Sequence, residues 1–302
     1  MRSILKQSSY VLFAQVINRA ISFFYIIYLA RVLGVSDFGL YTVALAYFSI
    51  ISGFADFGFN RFLMREIARD KSMISQLLFN IVMLRLTLTS TLFAIFALIL
   101  YFLDPDKVRV SLILLATIAI LPQAIAFTFD AIFAALQKLQ FSAVALFVSS
   151  LTTVLTGFVL VSQGFGPTGA AVALIFGQVI YAASLIILLF NQQKLVLSVI
   201  NFNTIKQAIA GSLPYGVLGV LGLLYFKIDA VLLSYLKGSF ETGIYGAAYK
   251  FLEAVIFIPS ALSVALFPVL AKFHESSPQN LKKIYFKSLK IMLLIGLLIL
   301  SG

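Results

Sequence analysis

Four residues near the start of the chain, Gln15, Asn18, Arg19 and Ser22, follow the spacing i, i+3, i+4 and i+7. On a helix that spacing puts two amides, a guanidinium and a hydroxyl into one stripe. Such groups recognise a ligand through hydrogen bonds and charge. The apolar stretch that carries them, 10–33, is long enough to cross a bilayer. An arginine about ten residues into such a helix lies roughly 15 Å deep at ~1.5 Å per residue. A cation at that depth costs a few kcal/mol and usually faces a partner or a wet cavity. The stripe is therefore expected to line a polar cavity inside a helical membrane protein. A snorkelling or locally paired Arg19 is the plainer alternative.

Three further cations, Arg85, Lys227 and Lys250, fall inside apolar segments, with the acids Asp56, Asp130, Asp229 and Glu253. Arg85 and Lys250 join the stripe as candidate cavity residues. Asp229, Lys227, Glu253 and Asp56 form a candidate gating or coupling set. Asp229 and Lys250 lie at comparable depths on either side of the turn at 237–241, so they can meet if their faces do. Glu253, three residues beyond Lys250, is the rival partner. An intramembrane lysine needs an anion in every state, so Lys250 either keeps one static partner or exchanges between Asp229 and Glu253, or between an acid and an arriving anionic ligand. Asp56 and Asp130 are expected to partner Arg61 and Lys138 near the membrane surface. Asp56 is also the local partner of Arg19 if that arginine is structural. Metal, thiol and triad chemistry have no basis, since the chain has no cysteine and a lone His274 in a charged loop. No cofactor is expected, and a coupling proton or sodium ion is left open.

The elements that hold these residues follow from composition. Of 302 residues, 62% are hydrophobic and 11% charged, with a mean hydropathy of +1.07. A soluble domain would carry roughly 25% charge, so this is an integral membrane protein. The net charge of +11 sits in short loops rather than on a basic face alternating with aromatics, which excludes nucleic acid as a partner. The first apolar run is too long for a signal peptide and has no small-residue cleavage site. Complete spans are expected at about 10–33, 38–61, 76–103, 109–136, 142–163, 167–190, 208–235 and 242–270, with a partial ninth at 286–302. Fourteen Lys and Arg fall in the N-terminus and the loops after even-numbered spans, against four in the alternate loops. The N-terminus is therefore expected in the cytoplasm. Pro122 and Pro259 sit mid-span, and Pro214 begins a small-residue edge of Gly216, Gly219 and Gly222.

An internal repeat is visible at an offset of 204: Leu33-Gly34-Val35-Ser36-Asp37-Phe38-Gly39-Leu40-Tyr41 echoes Lys237-Gly238-Ser239-Phe240-Glu241-Thr242-Gly243-Ile244-Tyr245. Both copies start a span on the same side, so the repeat is parallel. The expected fold is an all-α membrane bundle of two six-helix lobes. Residues 1–204 form the N-terminal lobe; residues 205–302 start the C-terminal lobe, with two complete helices and part of a third. Two full lobes need roughly 400 residues by this repeat length, so the chain is expected to be a truncated product or fragment.

Ala30-Arg31-Val32-Leu33-Gly34, Phe38-Gly39-Leu40-Tyr41, Ala55-Asp56-Phe57-Gly58 and Arg65-Glu66-Ile67-Ala68-Arg69 resemble the polysaccharide biosynthesis (Wzx-type) flippase family. That family belongs to the multidrug/oligosaccharidyl-lipid/polysaccharide exporter superfamily. Lys227-Ile228-Asp229, Gly243-Ile244-Tyr245, Tyr249-Lys250 and Phe267-Pro268 agree in the second copy. The resemblance implies a transporter that opens alternately to either side and turns an oligosaccharide on a polyprenyl (di)phosphate to the outer leaflet. It implies lipid-linked oligosaccharide and membrane lipid as partners, with glycan polymerase or ligase machinery as a further one. Arginine and lysine suit a diphosphate, and Gln15, Asn18 and Ser22 suit sugar hydroxyls. A multidrug cation antiporter of the same superfamily is the alternative, and it would present unpaired acids in its cavity. An integral-membrane glycosyltransferase or polymerase would need a large outer loop, and every outer loop here is short.

Overall fold

The computed structural model describes residues 2–193, 199–253, 255–256 and 278–301. Among them every regular element is helical. Two compact units form, Met1–Ala247 and Ala248–Gly302.

In the first unit, five runs are long and apolar enough to cross a membrane: Val16–Arg69, Lys71–Leu103, Lys107–Ala135, Leu139–Gln192 and Phe202–Lys237. Two of these contain 54 residues. A straight helix of that length would reach ~81 Å, far beyond the ~30 Å hydrocarbon core. Each is broken instead. Helix α1, Arg2–Asp56, reverses at Gly34, whose φ of 75° and ψ of 172° exclude a side chain. The run Leu139–Gln192 breaks at Gly164 and Gly166, with φ of 90° and 55°, into α6 (Leu139–Leu160) and α7 (Gly166–Gln192). Gly169 touches Leu160, Ser149 Oγ donates to the Gly177 carbonyl at 2.7 Å, and Lys138 Nζ donates to Gln192 Oε1 at 2.6 Å. One partner's number rises as the other's falls, so α6 and α7 are an antiparallel hairpin.

The remaining helices show what ends and bends them. Helix α2, Phe59–Arg69, follows a turn in which Phe57 and Gly58 both have positive φ. The span expected to continue to residue 61 therefore stops at Asp56, and α2 is an element of its own. Its Phe59, Phe62, Leu63 and Ile67 are buried while Arg61, Arg65 and Arg69 are exposed, an amphipathic pattern too short to stand out in span-length hydropathy. Helix α3 spans Ile74–Leu103. Pro122 breaks the next span just before itself, between α4 (Lys107–Ile118) and α5 (Ile120–Ala135). Proline lacks an amide hydrogen and crowds the carbonyl four residues back, which is that of Ile118. Pro214, by contrast, is accommodated inside α8, Phe202–Lys237.

Helix α8 runs antiparallel along the second arm of α1. Gly58 meets Ser212 and Gly216, Gly53 meets Leu223, and Ala46 clusters with Ala230 and Val231. Beyond α8, Gly238 breaks the chain with φ 93° and ψ −175°, close to the conformation of Gly34, and helix α9 occupies residues 239–253. There the approach is closest. A side chain at Gly39 would strike the Ser239 carbonyl, and one at Gly243 would strike the Val35 carbonyl. The offset of 204 carries Val35 to Ser239 and Gly39 to Gly243, so it exchanges these two contacts. It also carries Thr42 to Gly246, which touch each other. In the second unit, the described elements are the end of α9 and helix α10, Pro278–Ser301. Pro259 and His274 lie outside the described residues.

Candidate functional site

Where α1 ends, α2 begins and α8 passes, the helices leave a cavity of about 190 Å³. Its walls carry Ser52 and Asp56 from α1, Arg61 from α2, Phe127 from α5, and Tyr215 and Leu223 from α8. The glycine edge of α8 makes the room, because Gly216 and Gly219 have no side chains to fill it. The volume is below the ~300–1,000 Å³ of an ordinary small-molecule site, so it accommodates part of a ligand. Arg61 stands 5.6 Å from the centre of the Tyr215 ring, and Ser52 Oγ donates to Gln123 Oε1 at 2.6 Å.

The acid on the wall is neutralised from behind. Arg85 of α3 donates to Asp56 Oδ1 at 2.5 Å, to Asn60 Oδ1 at 3.0 Å and to Thr128 Oγ1 at 3.2 Å, and its guanidinium lies over the Phe59 ring. The Arg85 side chain is 1% exposed, against 26% for Asp56. Only Asp56 of this pair faces the cavity.

Asp56 was expected to partner Arg61, with Arg19 as its structural alternative; the ion pair is with Arg85. The reason is reach: α3 passes the end of α1 at the level where Arg85 projects inward. Lys138 likewise bonds Gln192 rather than Asp130, which lies against Ser142 and Tyr181. Of the first stripe, Asn18 is buried with both side-chain polar atoms unpartnered, and Arg19 and Ser22 are exposed. The side chain of Gln15 lies outside the described residues. Lys227 is half-buried. Asp229 accepts from the Tyr245 hydroxyl and the Ala230 amide. Lys250 donates to Glu253 Oε2 at 2.8 Å within the second unit. The structure thus joins Asp56 to Arg85 and Lys250 to Glu253. Ser52 and Tyr215 carry no spacing signal in the sequence, where Arg61 enters as a loop charge and the expected partner of Asp56 rather than as a cavity residue.

A second polar cluster lies at the far end of α8. Arg109 grips both oxygens of Asp104 at 2.7 and 2.9 Å, and the Tyr235 hydroxyl donates to Asp104 at 2.8 Å. The guanidinium also lies 4.3 Å from the centre of the Tyr235 ring. Burial opposes the Asp104 charge, but bonds from Arg109, the Asp106 amide and Tyr235 outweigh it and hold its pKa below the ordinary carboxylate value.

Residues 4–274 match the family described as polysaccharide biosynthesis protein. The chain belongs to that family. It also shares its fold with two solved structures. One is the inward-facing conformation of a multidrug resistance MATE family transporter of the MOP superfamily: 19% identity, TM-score 0.62, 91% of this chain and 68% of that one. The other is the MATE multidrug transporter DinF-BH in a ligand complex: 16% identity, TM-score 0.64, 99% and 71%. No curated protein matches the chain. This family member is therefore a multi-pass membrane protein, and its fold is that of the two MATE transporters.

Proposed function

We propose that the protein turns an oligosaccharide repeat unit, linked to a polyprenyl (di)phosphate, from the cytoplasmic to the outer leaflet for cell-surface polysaccharide synthesis. The observation that carries this reading is the charge of the cavity. Its one acid, Asp56, is already bound by Arg85, while Arg61 has no ion pair among the described residues. The wall is therefore cationic, which suits a diphosphate and opposes a lipophilic cation. Family membership supplies the glycan context. Ser52 and Tyr215 add a hydroxyl and an aromatic face for a sugar next to the phosphate. With the N-terminus cytoplasmic, as the loop charges favour, the Arg61 end of α8 would face the side of the cell membrane where such a lipid is made available. Two lobes related by the 204-residue repeat would alternate access, and glycan polymerase or ligase machinery would take the product.

The test uses proteoliposomes holding either a fluorescent polyprenyl-diphosphate oligosaccharide or a lipophilic cation. The wild-type protein is expected to move the first and not the second, and Arg61→Gln to slow it at least tenfold, the scale of about 1.4 kcal/mol per decade. Transport of the cation alone would overturn the reading in favour of multidrug transport, the activity named for the two structural neighbours.

A further inference from the structure

We propose that the exposed face of α2 is an entry track that guides the diphosphate head group of the lipid-linked substrate from the membrane surface into the cavity. The inference rests on the proposed function above and adds to the site's Arg61 two residues, Arg65 and Arg69, that the cavity itself does not use. Arg61, Arg65 and Arg69 recur every fourth residue on α2, so consecutive guanidinium stems stand about 5–6 Å apart on one side of the helix. The opposite side is fixed: Phe59, Phe62, Leu63 and Ile67 are buried against neighbouring helices, among them α5 and α8. The helix therefore cannot roll, and the three arginines hold one direction.

The stripe has a start and an end. Arg69 is 73% exposed and Arg65 44%, while Arg61 lines the cavity. An anion meeting Arg69 finds the next cation one turn further in, and the next at the cavity wall. The single acid on this face, Glu66, bonds Arg65 Nε at 2.8 Å and approaches Arg69 Nη1 at 3.9 Å. It holds the two side chains in register and leaves both terminal nitrogens of Arg65 for a multi-oxygen ligand. Asp70, just past the helix, is turned to the Ser72 amide and hydroxyl instead. Arg65 also lies against Gly211 of α8, on the wall that leads to Tyr215. Cations in loops on this side satisfy membrane topology wherever they fall, but topology does not require a four-residue repeat that ends at a cavity.

That difference gives the test. The double variant Met64→Arg/Arg65→Met moves one charge about 100° around α2 and keeps composition and net charge unchanged; Met64 is already exposed. In phosphatidylcholine proteoliposomes carrying the polyprenyl-diphosphate oligosaccharide, its rate at low substrate is expected to fall on the order of tenfold, as for lost electrostatic steering. The rate at saturating substrate should stay within twofold of wild type, because the cavity is intact. The deficit should shrink between about 0.05 and 0.5 M salt as the Debye length contracts. Arg69→Gln, the outermost rung, should show the same pattern more weakly and checks that the effect is not misfolding of the double variant. Equal low-substrate rates in all three proteins would overturn the track and leave the proposed function standing. Loss of the wild-type advantage on adding phosphatidylglycerol would assign the stripe to bulk anionic lipid and overturn it as well. A wild-type protein that fails to move the substrate would end both.

Discussion

At the scale of single residues, the arrangement of Arg85 and Asp56 makes the two partners unequal. Removing Asp56 leaves a guanidinium with 1% exposure and no counter-charge, a change that costs about 3–5 kcal/mol for a buried pair. Removing Arg85 leaves a carboxylate that already touches the cavity and can hydrate. Asp56→Asn is therefore expected to lower the unfolding temperature in detergent much more than Arg85→Met, and the double variant to recover most of the loss. Equal destabilisation by both single changes would mean that the pair is not set behind the wall as described. Arg85→Met has a second expected effect: it strips the neutralising partner from the wall acid, so equilibrium binding of a lipophilic cation should rise while that of a polyprenyl diphosphate falls. Both residues could be picked from the sequence, because charges inside apolar spans are costly and few. Their pairing could not, because it depends on how far α3 slides along α1, and hydropathy carries no register.

Among the elements, the α3–α4 turn and the end of α8 are joined by the grip of Arg109 on Asp104 beneath Tyr235. The folded-state pKa of Asp104 is depressed, so its charge persists at acidities where an unfolded chain's carboxylate, near ~3.9, is protonated. Its contribution to stability is fully present above that unfolded value and disappears as pH falls through the lower folded value. Asp104→Asn should lower stability at neutral pH by about 1.5–3 kcal/mol, the range for a hydrogen-bonded charge. It should also flatten the stability profile below about pH 4, where the wild-type protein loses this contribution. A variant that melts with the wild-type acid profile would show that the grip contributes nothing. Hydropathy and length separated the spans 10–33 from 38–61 and 142–163 from 167–190, where Gly34 and the Gly164–Gly166 pair break the helices, but they ran 109–136 as one span, which the structure divides before Pro122. Helix α2 escaped because its alternation of buried Phe62 and Leu63 with exposed Arg61 and Arg65 looks, in a window of span length, like the frayed end of the preceding span. For the same reason Arg61 reads in the sequence as an interfacial partner of Asp56 rather than as a cavity residue.

For the whole first unit, the legible part was the succession of apolar spans and their turning points, and the part that needed coordinates was which spans touch. The echo at 204 residues named Gly39 and Gly243 but gave no reason for glycine at either position. The structure supplies one, since each glycine lies against a backbone carbonyl, Gly39 against that of Ser239 and Gly243 against that of Val35, and the shift exchanges the two contacts. Thr42 and Gly246 then sit where such a relation maps a contact onto itself, so they lie at the centre of the α1–α9 approach. A transporter whose repeats move apart must break this contact once per cycle, and a bond across it should stop the cycle. The chain has no cysteine, so Thr42→Cys/Gly246→Cys introduces the only two thiols. A Cβ placed on Gly246 falls 3.1 Å from the Thr42 Cβ, near the ~3.5–4.5 Å span of a disulfide, so a small shift suffices. With a protease site inserted between α7 and α8, oxidised protein should stay in one piece after cleavage and separate on reduction. Oxidation is expected to cut transport at least tenfold and reduction to restore it, on the scale of about 1.4 kcal/mol per decade. Each single-cysteine variant should be indifferent to oxidant. If the bridge forms completely and transport continues, α1 and α9 stay together throughout the cycle, and the moving boundary must lie elsewhere in the molecule.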